Sequence, residues 1–78
     1  MTTMQERVIN YLTKYSQCHE EKSSPSKKYR KFVNPEGKIY WVGKKGAVRA
    51  GATISSSVSI SFLVERNMKL WEAGRFEK

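Results

Sequence analysis

The chain has 78 residues, of which 38% are hydrophobic, 12% aromatic and 28% charged, and its net charge is +8. This length allows one small domain, residues 1–78, with a thin core, and the apolar and aromatic content excludes wholesale disorder. No apolar run approaches the roughly 20 residues of a transmembrane helix, and the polar first seven residues lack the apolar region of a signal peptide.

Residues 3–16 are predicted to form an amphipathic helix. Apolar side chains recur along one face of this segment, at Met4, Val8, Tyr11, Leu12 and Tyr15. Thr3 followed by Glu6 is the residue pair of a capping box, which satisfies amide groups at a helix start. The next segment, residues 17–28, lacks apolar periodicity and contains a Ser/Pro cluster, so we expect a flexible linker between this helix and a sheet.

Three short strands are predicted next, in an antiparallel meander. The first, residues 29–33, leads into a four-residue turn at residues 34–37, where proline and glycine favour chain reversal. The second, residues 38–44, is rich in β-branched and aromatic residues. A two-residue turn at residues 45–46 then returns the chain into a third strand at residues 47–51.

These turn lengths decide which side chains share a face of the sheet. They place Val33 opposite Lys38 and Trp41 opposite Ala50, and the two hairpins then agree on the assignment of faces. The predicted core face carries Phe32, Ile39, Trp41, Val48 and Ala50, with Arg30 as its one misfit. The predicted opposite face carries Tyr29, Lys31, Val33, Lys38, Tyr40, Val42, Lys44 and Arg49. A one-residue bulge at residues 44–46 is the alternative, and it would shift the third strand.

The last third of the chain changes from a strand-like to a helical pattern. Apolar and polar residues alternate after Thr53, so a fourth edge strand at residues 53–60 stays an alternative to a loop. A final helix is predicted near residues 61–73, with Gly74 after its end and a preceding serine as its cap, Ser59 or Ser61. This order of elements predicts an α+β domain with both helices on one face of the sheet.

The positive charge is concentrated in the middle of the chain. Residues 22–49 hold nine lysines and arginines against one glutamate, which gives +8, while the preceding segment carries −1 and the following one +1. Charge that served solubility alone would be spread more evenly. A concentrated basic block indicates a polyanionic partner, and nucleic acid is a commoner one than an acidic membrane or protein.

The predicted face opposite the core combines cations with aromatic rings. Lysine and arginine bind phosphates without regard to sequence, whereas tyrosine rings stack on bases or pack against sugars. We therefore expect a small basic module that binds DNA or RNA. Its expected contact residues are Tyr29, Lys31, Lys38, Tyr40, Lys44, Lys45 and Arg49.

A docking module is the alternative to nucleic-acid binding. The same charge suits a small non-enzymatic modulator or inhibitor that docks on an acidic surface of a nucleic-acid-handling protein. The two hypotheses differ only in whether the polyanion is a nucleic acid or a protein, and neither requires a membrane.

No enzymatic, metal or cofactor site is expected. Cys18 and His19 are the only cysteine and histidine, whereas a zinc site needs three or four protein ligands. Residues 43–46 lack the spacing of a phosphate-binding loop and precede a strand rather than a helix. A lone cysteine cannot form an internal disulfide, so we expect a cytoplasmic, intracellular protein.

Overall fold

The computed structural model describes residues 2–22 and 28–75. Within these ranges the chain forms two helices and five strands. In chain order they are α1 (Met4–Lys14), β1 (His19–Glu21), β2 (Tyr29–Val33), β3 (Ile39–Gly43), β4 (Val48–Ala50), β5 (Val58–Ser59) and α2 (Ser61–Glu72). The strands form one antiparallel sheet in sequential order, and both helices pack on the same face. The predicted α+β class is confirmed, although the sheet has five strands rather than three.

The first helix begins where its sequence predicts. Thr3 is the N-cap, and its hydroxyl accepts a hydrogen bond from the Glu6 amide over 3.1 Å. The predicted apolar stripe faces the core, with Val8, Tyr11 and Leu12 buried and the outer members partly covered. Local sequence signals are therefore sufficient to place α1.

The segment predicted as a flexible linker contains the first strand. His19 pairs with Val33, and Glu21 pairs with Lys31, so β1 lies at one edge of the sheet. No apolar pattern marks it because its three residues are all polar and none is fully buried. Residues 23–27 of the predicted linker lie outside the described residues.

The core lies between the two helices and one face of the sheet, which we call the core face. Phe32, Val42 and Val48 project from the sheet and are almost fully buried. Leu12 of α1 and Met68 of α2 cover them. Burial of these side chains is the main force that holds both helices on the sheet.

Both hairpins use three-residue loops, which makes the first loop shorter and the second longer than predicted. The Asn34 amide donates to the Lys38 carbonyl over 3.0 Å, and the Gly43 amide donates to the Ala47 carbonyl over 2.8 Å. Each loop ends on a glycine at positive φ, a conformation that adds one residue to the turn as a G1 bulge. These glycines are Gly37 (φ 88°) and Gly46 (φ 89°). The second hairpin therefore contains the one-residue bulge at residues 44–46, which was the predicted alternative to a two-residue turn.

The two loop lengths reverse the faces of β3. Phe32 pairs with Tyr40 and Lys31 pairs with Trp41. In the predicted register Phe32 lies opposite Ile39, and Lys31 lies opposite Tyr40. Across the next pair Trp41 lies opposite Arg49. The predicted faces of Ile39, Trp41, Tyr40 and Val42 are therefore wrong, while those of the residues on β2 and β4 are confirmed. Tyr40 and Val42 lie on the core face, whereas Ile39 and Trp41 lie on the opposite one, the outer face.

Trp41 is nevertheless only 1% exposed, although it stands outside the core cluster. Its Nε1 donates a hydrogen bond to the Gly51 carbonyl over 3.0 Å, and Lys31 Nζ lies 5.8 Å from its ring centroid. Gly51 approaches Ser57 so closely that a Cβ atom there would lie 2.6 Å from the Ser57 Cα. The loop between β4 and β5 thus packs back on itself beside Trp41.

The second helix lies within its predicted range, but its start is not capped as predicted. Ile60 occupies the N-cap position and makes no side-chain cap bond. The Ser61 hydroxyl instead accepts a hydrogen bond from the Val48 amide over 2.9 Å, which ties the helix start to β4. Gly74 follows the helix at φ 74°, as expected. The alternative edge strand is present as the two residues of β5.

Candidate functional site

One end of the sheet gathers lysines around a tyrosine. Tyr29 begins β2 and lies opposite Gly43, the last residue of β3, so the loop from β3 to β4 emerges beside it. A groove of about 380 Å³ opens at this end. It is lined by Lys28, Tyr29, Gly43, Lys44, Lys45 and Ala47, and we call it the hairpin-end groove.

The tyrosine ring lies beside the glycine opposite it. A Cβ atom built on Gly43 would lie 3.4 Å from Tyr29 Cε2 and 3.7 Å from the Ala47 Cβ, which are ordinary van der Waals distances. The Tyr29 ring and the Ala47 methyl group thus both lie close to the β3 backbone at Gly43. The half-buried ring therefore forms one wall of the hairpin-end groove.

The loop that carries Lys44 and Lys45 is anchored on α1. Gly46 lies so close to the helix start that a Cβ atom there would be 2.3 Å from Met4 Cγ. Gln5 Nε2 also donates a hydrogen bond to the Gly43 carbonyl over 3.3 Å. The loop backbone is thus held by the helix, while both lysine side chains are exposed.

Three carboxylates of the described residues form ion pairs with an arginine or lysine away from this groove. The pairs are Arg30–Glu20 at 2.6 Å, Arg7–Glu72 at 2.7 Å and Lys69–Glu65 at 3.2 Å. Hydrogen bonds from the paired arginines hold the pKa values of Glu20 and Glu72 below the usual value. Within the described ranges, Lys44 and Lys45 form no ion pair, and no carboxylate lines the hairpin-end groove. The lining of the groove therefore supplies no negative charge to neutralise Lys44 and Lys45.

The structure brings three of the predicted contact residues together and separates the others. Tyr29, Lys44 and Lys45 meet at the hairpin-end groove. Lys31 lies on the outer face two residues further along β2, beside the Trp41 ring.

The remaining predicted residues lie elsewhere. Lys38 is exposed in the loop at the opposite end of β3. Arg49 lies on the outer face as predicted, but its guanidinium donates to the Ser57 hydroxyl over 2.8 Å and to the Ser57 carbonyl over 2.9 Å. The predicted position of Tyr40 is wrong, because it lies on the core face, where burial raises the pKa of its hydroxyl.

Lys28 is the groove residue that sequence reasoning missed. Its neighbours in sequence indicate a linker, whereas the structure places it directly before β2 and on the wall of the hairpin-end groove. Lys28 precedes Tyr29 at the start of β2, and β3, which pairs with β2, leads into the loop that carries Lys44 and Lys45. The sequence alone does not show that Lys28 lies near these lysines, because this depends on the loop from β3 to β4 lying beside Tyr29.

Cys18 is buried, whereas the neighbouring His19 is exposed. Burial raises the pKa of the Cys18 thiol to about 11, so the thiol stays protonated at neutral pH. His19 Nε2 is exposed and lies 3.1 Å from Glu21 Oε2. The described part of the chain holds no group of three histidine, cysteine or acidic side chains that could bind a metal ion. None of its helices is long and apolar enough to span a bilayer.

The chain was compared with protein-family models, with curated proteins and with solved structures, and none of the three comparisons gave a match. The lining of the hairpin-end groove combines three lysines with a tyrosine ring and contains no carboxylate of the described residues.

Proposed function

We propose that this protein is a non-enzymatic nucleic-acid-binding module whose contact surface is centred on the hairpin-end groove. The observation that carries the proposal is the grouping of Lys28, Lys44 and Lys45 around Tyr29, in a groove that no carboxylate of the described residues lines. Lysines bind phosphate through charge and counterion release, and an adjacent aromatic ring supplies a contact for a base or a sugar.

An extended polyanion fits this surface better than a small anion. Lys31 continues the cationic surface from the groove along the outer face, since it follows Tyr29 by two residues on the same strand. The +8 charge of residues 22–49 adds a long-range field that a single phosphate would not need. A nucleic-acid backbone presents its phosphates in a row, and it would meet several of these lysines at once.

Charge reversal at the two ends of β3 tests the proposal. Lys44 and Lys38 are both exposed lysines in hairpin loops, and neither forms an ion pair within the described residues. Lys44→Glu should weaken binding to a labelled oligonucleotide about tenfold or more, because it places a carboxylate in the groove. Lys38→Glu is the matched control and should weaken binding only about two- to threefold through the general field.

Fluorescence anisotropy at one fixed salt concentration measures both affinities, and thermal melts confirm that each variant is folded. A larger loss for Lys44→Glu supports a site at the hairpin-end groove. Equal losses would mean that the charge acts in bulk and that the groove is not the contact surface.

Docking on an acidic protein surface is the second candidate, and one observation favours it. Val58, Phe62 and Leu63 are 63%, 83% and 52% exposed, and they follow one another closely at β5 and the first turn of α2. Large apolar side chains exposed at a surface are typical of protein contacts. A partner of this kind would pair its acidic residues with the lysines and its apolar residues with this patch.

Two polyanions of equal charge separate the candidates. The nucleic-acid proposal predicts that a single-stranded oligonucleotide binds at least about tenfold more tightly than polyglutamate of the same charge, because polyglutamate lacks the phosphates, sugars and bases that the lysines and Tyr29 would contact. It also predicts that Phe62→Ser leaves oligonucleotide affinity unchanged. Equal affinity for the two polyanions would favour the docking module.

A further inference from the structure

The hairpin-end groove has apolar walls beneath a cationic rim. The Tyr29 ring, the Ala47 methyl group and the Gly43 backbone form its walls, and the rim consists of Lys28 on the β2 side and of Lys44 and Lys45 on the side of the loop. Phosphate binding explains the rim but does not explain the apolar interior. A ligand that matches both parts must carry anionic groups next to a flat apolar surface.

A nucleobase flanked by phosphates has this combination, but only when its faces are exposed. In a duplex both faces of each base are covered by its neighbours, and proteins reach only the base edges in the grooves. In a single strand the bases unstack readily and pack against aromatic side chains. An apolar groove next to a tyrosine ring therefore discriminates between the two forms of nucleic acid.

The hairpin-end groove is open to solvent, and its volume of about 380 Å³ has room for one base with part of its sugar.

We infer that the hairpin-end groove binds one unstacked base of a single-stranded nucleic acid, an inference that rests on the proposed function. Tyr29 supplies the stacking wall, and Ala47 closes the opposite side. Lys28 contacts the phosphate on one side of the inserted base, and Lys44 and Lys45 contact the phosphate on the other side. Duplex nucleic acid would meet only the lysines at the rim.

Three labelled ligands of the same length, about 12 nucleotides, test the inference by fluorescence anisotropy at one salt concentration. They are a single strand, the same strand with abasic sugars at all its central positions, and the blunt duplex. The abasic strand keeps every phosphate and loses the bases. The single strand should bind about tenfold more tightly than the abasic strand, which corresponds to the loss of one stacking contact. It should also bind more tightly than the duplex.

The outcomes distinguish a failure of base insertion from a failure of the proposed nucleic-acid binding. Equal affinity for the single and abasic strands, or tighter binding of the duplex, would overturn base insertion while nucleic-acid binding stands. No binding of any ligand at low salt would overturn the proposed function itself.

Replacing each of two alanine residues by leucine locates the bound base without altering the tyrosine. Ala47→Leu fills the groove at an exposed position, and Ala52→Leu is the matched control at the opposite end of the sheet. Ala47→Leu should weaken binding of the single strand about tenfold and leave binding of the abasic strand unchanged. Ala52→Leu should change neither. If Ala47→Leu weakened both ligands equally while its thermal melt stayed normal, the groove would not be the base-binding site.

Discussion

Replacing Arg49 by methionine is expected to destabilise the fold and to change nucleic-acid affinity little. Its guanidinium donates from Nε to the Ser57 hydroxyl over 2.8 Å and from Nη2 to the Ser57 carbonyl over 2.9 Å. Ser57 is only 6% exposed, and its hydroxyl donates to the Ile54 carbonyl over 2.6 Å. Arg49 thus ties the loop between β4 and β5 to the sheet, and methionine keeps an unbranched apolar stem at this position while it removes these two bonds.

The size of the effect can be worked out from these two contacts. A hydrogen bond from a charged donor contributes about 1.5–3 kcal/mol when it is buried. Arg49 is half-buried, so water replaces part of what the two bonds supply, and we expect a total loss of about 2 kcal/mol in the free energy of unfolding. A domain of this size has a total stability of roughly 4–12 kcal/mol. The melting temperature should therefore fall by roughly 8–16 °C.

Urea unfolding followed by far-UV circular dichroism measures the loss. Ser57→Ala and the double variant complete a mutant cycle, in which the coupling between the two residues should exceed about 0.5 kcal/mol. A structural role for Arg49 would be refuted if Arg49→Met melted like the wild type and lowered oligonucleotide affinity about tenfold. The guanidinium would then contact nucleic acid rather than hold the loop.

Three other predictions concern burial and protonation. Trp41→Ala should lower the free energy of unfolding by about 3–5 kcal/mol because it opens a cavity; in urea unfolding, a loss below about 1 kcal/mol would contradict the burial of the ring. Arg7 lowers the pKa of Glu72 from 4.5, so the stability from their ion pair is present above this value and is lost as the pH falls through the lowered pKa. Glu72→Gln should therefore weaken the fall of the melting temperature in acid, and an unchanged acid profile would count against the pair. Because burial raises the pKa of Cys18 to about 11, iodoacetamide at about pH 8 should alkylate the folded protein far more slowly than the urea-unfolded chain, and equal rates would exclude the buried thiol.

The helices were predictable because their signals are local. The stripe of α1 and the cap at Thr3 lie within a few turns of each other, and so do the apolar spacing of α2 and the glycine at its end. Strand β1 was missed because it is polar and gains its structure from backbone pairing with β2. No periodicity in its own sequence could indicate that pairing.

The faces of β3 were not predictable from the pattern of its residues. Ile39, Tyr40, Trp41 and Val42 are all apolar or aromatic, so either face of the strand suits the core. The choice then depends on the lengths of the two loops, and the glycine in each loop is compatible with more than one length. Both loops differ from the prediction by one residue. The first loop is one residue shorter and the second one residue longer, so the two errors cancel for β2 and β4. The two hairpins therefore give the same faces for β2 and β4 in the predicted register and in the observed one.

The candidate site was only partly predictable, for a related reason. Charge segregation indicated the region of the candidate site, since the groove lysines all belong to residues 22–49. It could not indicate that Tyr40 lies on the core face or that Ser57 engages Arg49. Those relations depend on the lengths of the two hairpin loops and on where the loop after β4 packs.

The dependence of affinity on salt tests the central claim most directly. The affinity of the full chain for a single-stranded oligonucleotide should be measured from about 50 to 200 mM monovalent salt. If Lys28, Lys44 and Lys45 each neutralise one phosphate, the logarithm of the association constant should fall against the logarithm of the salt concentration with a slope of about −2 to −3. A slope near zero, or no binding at the lowest salt concentration, would contradict the account.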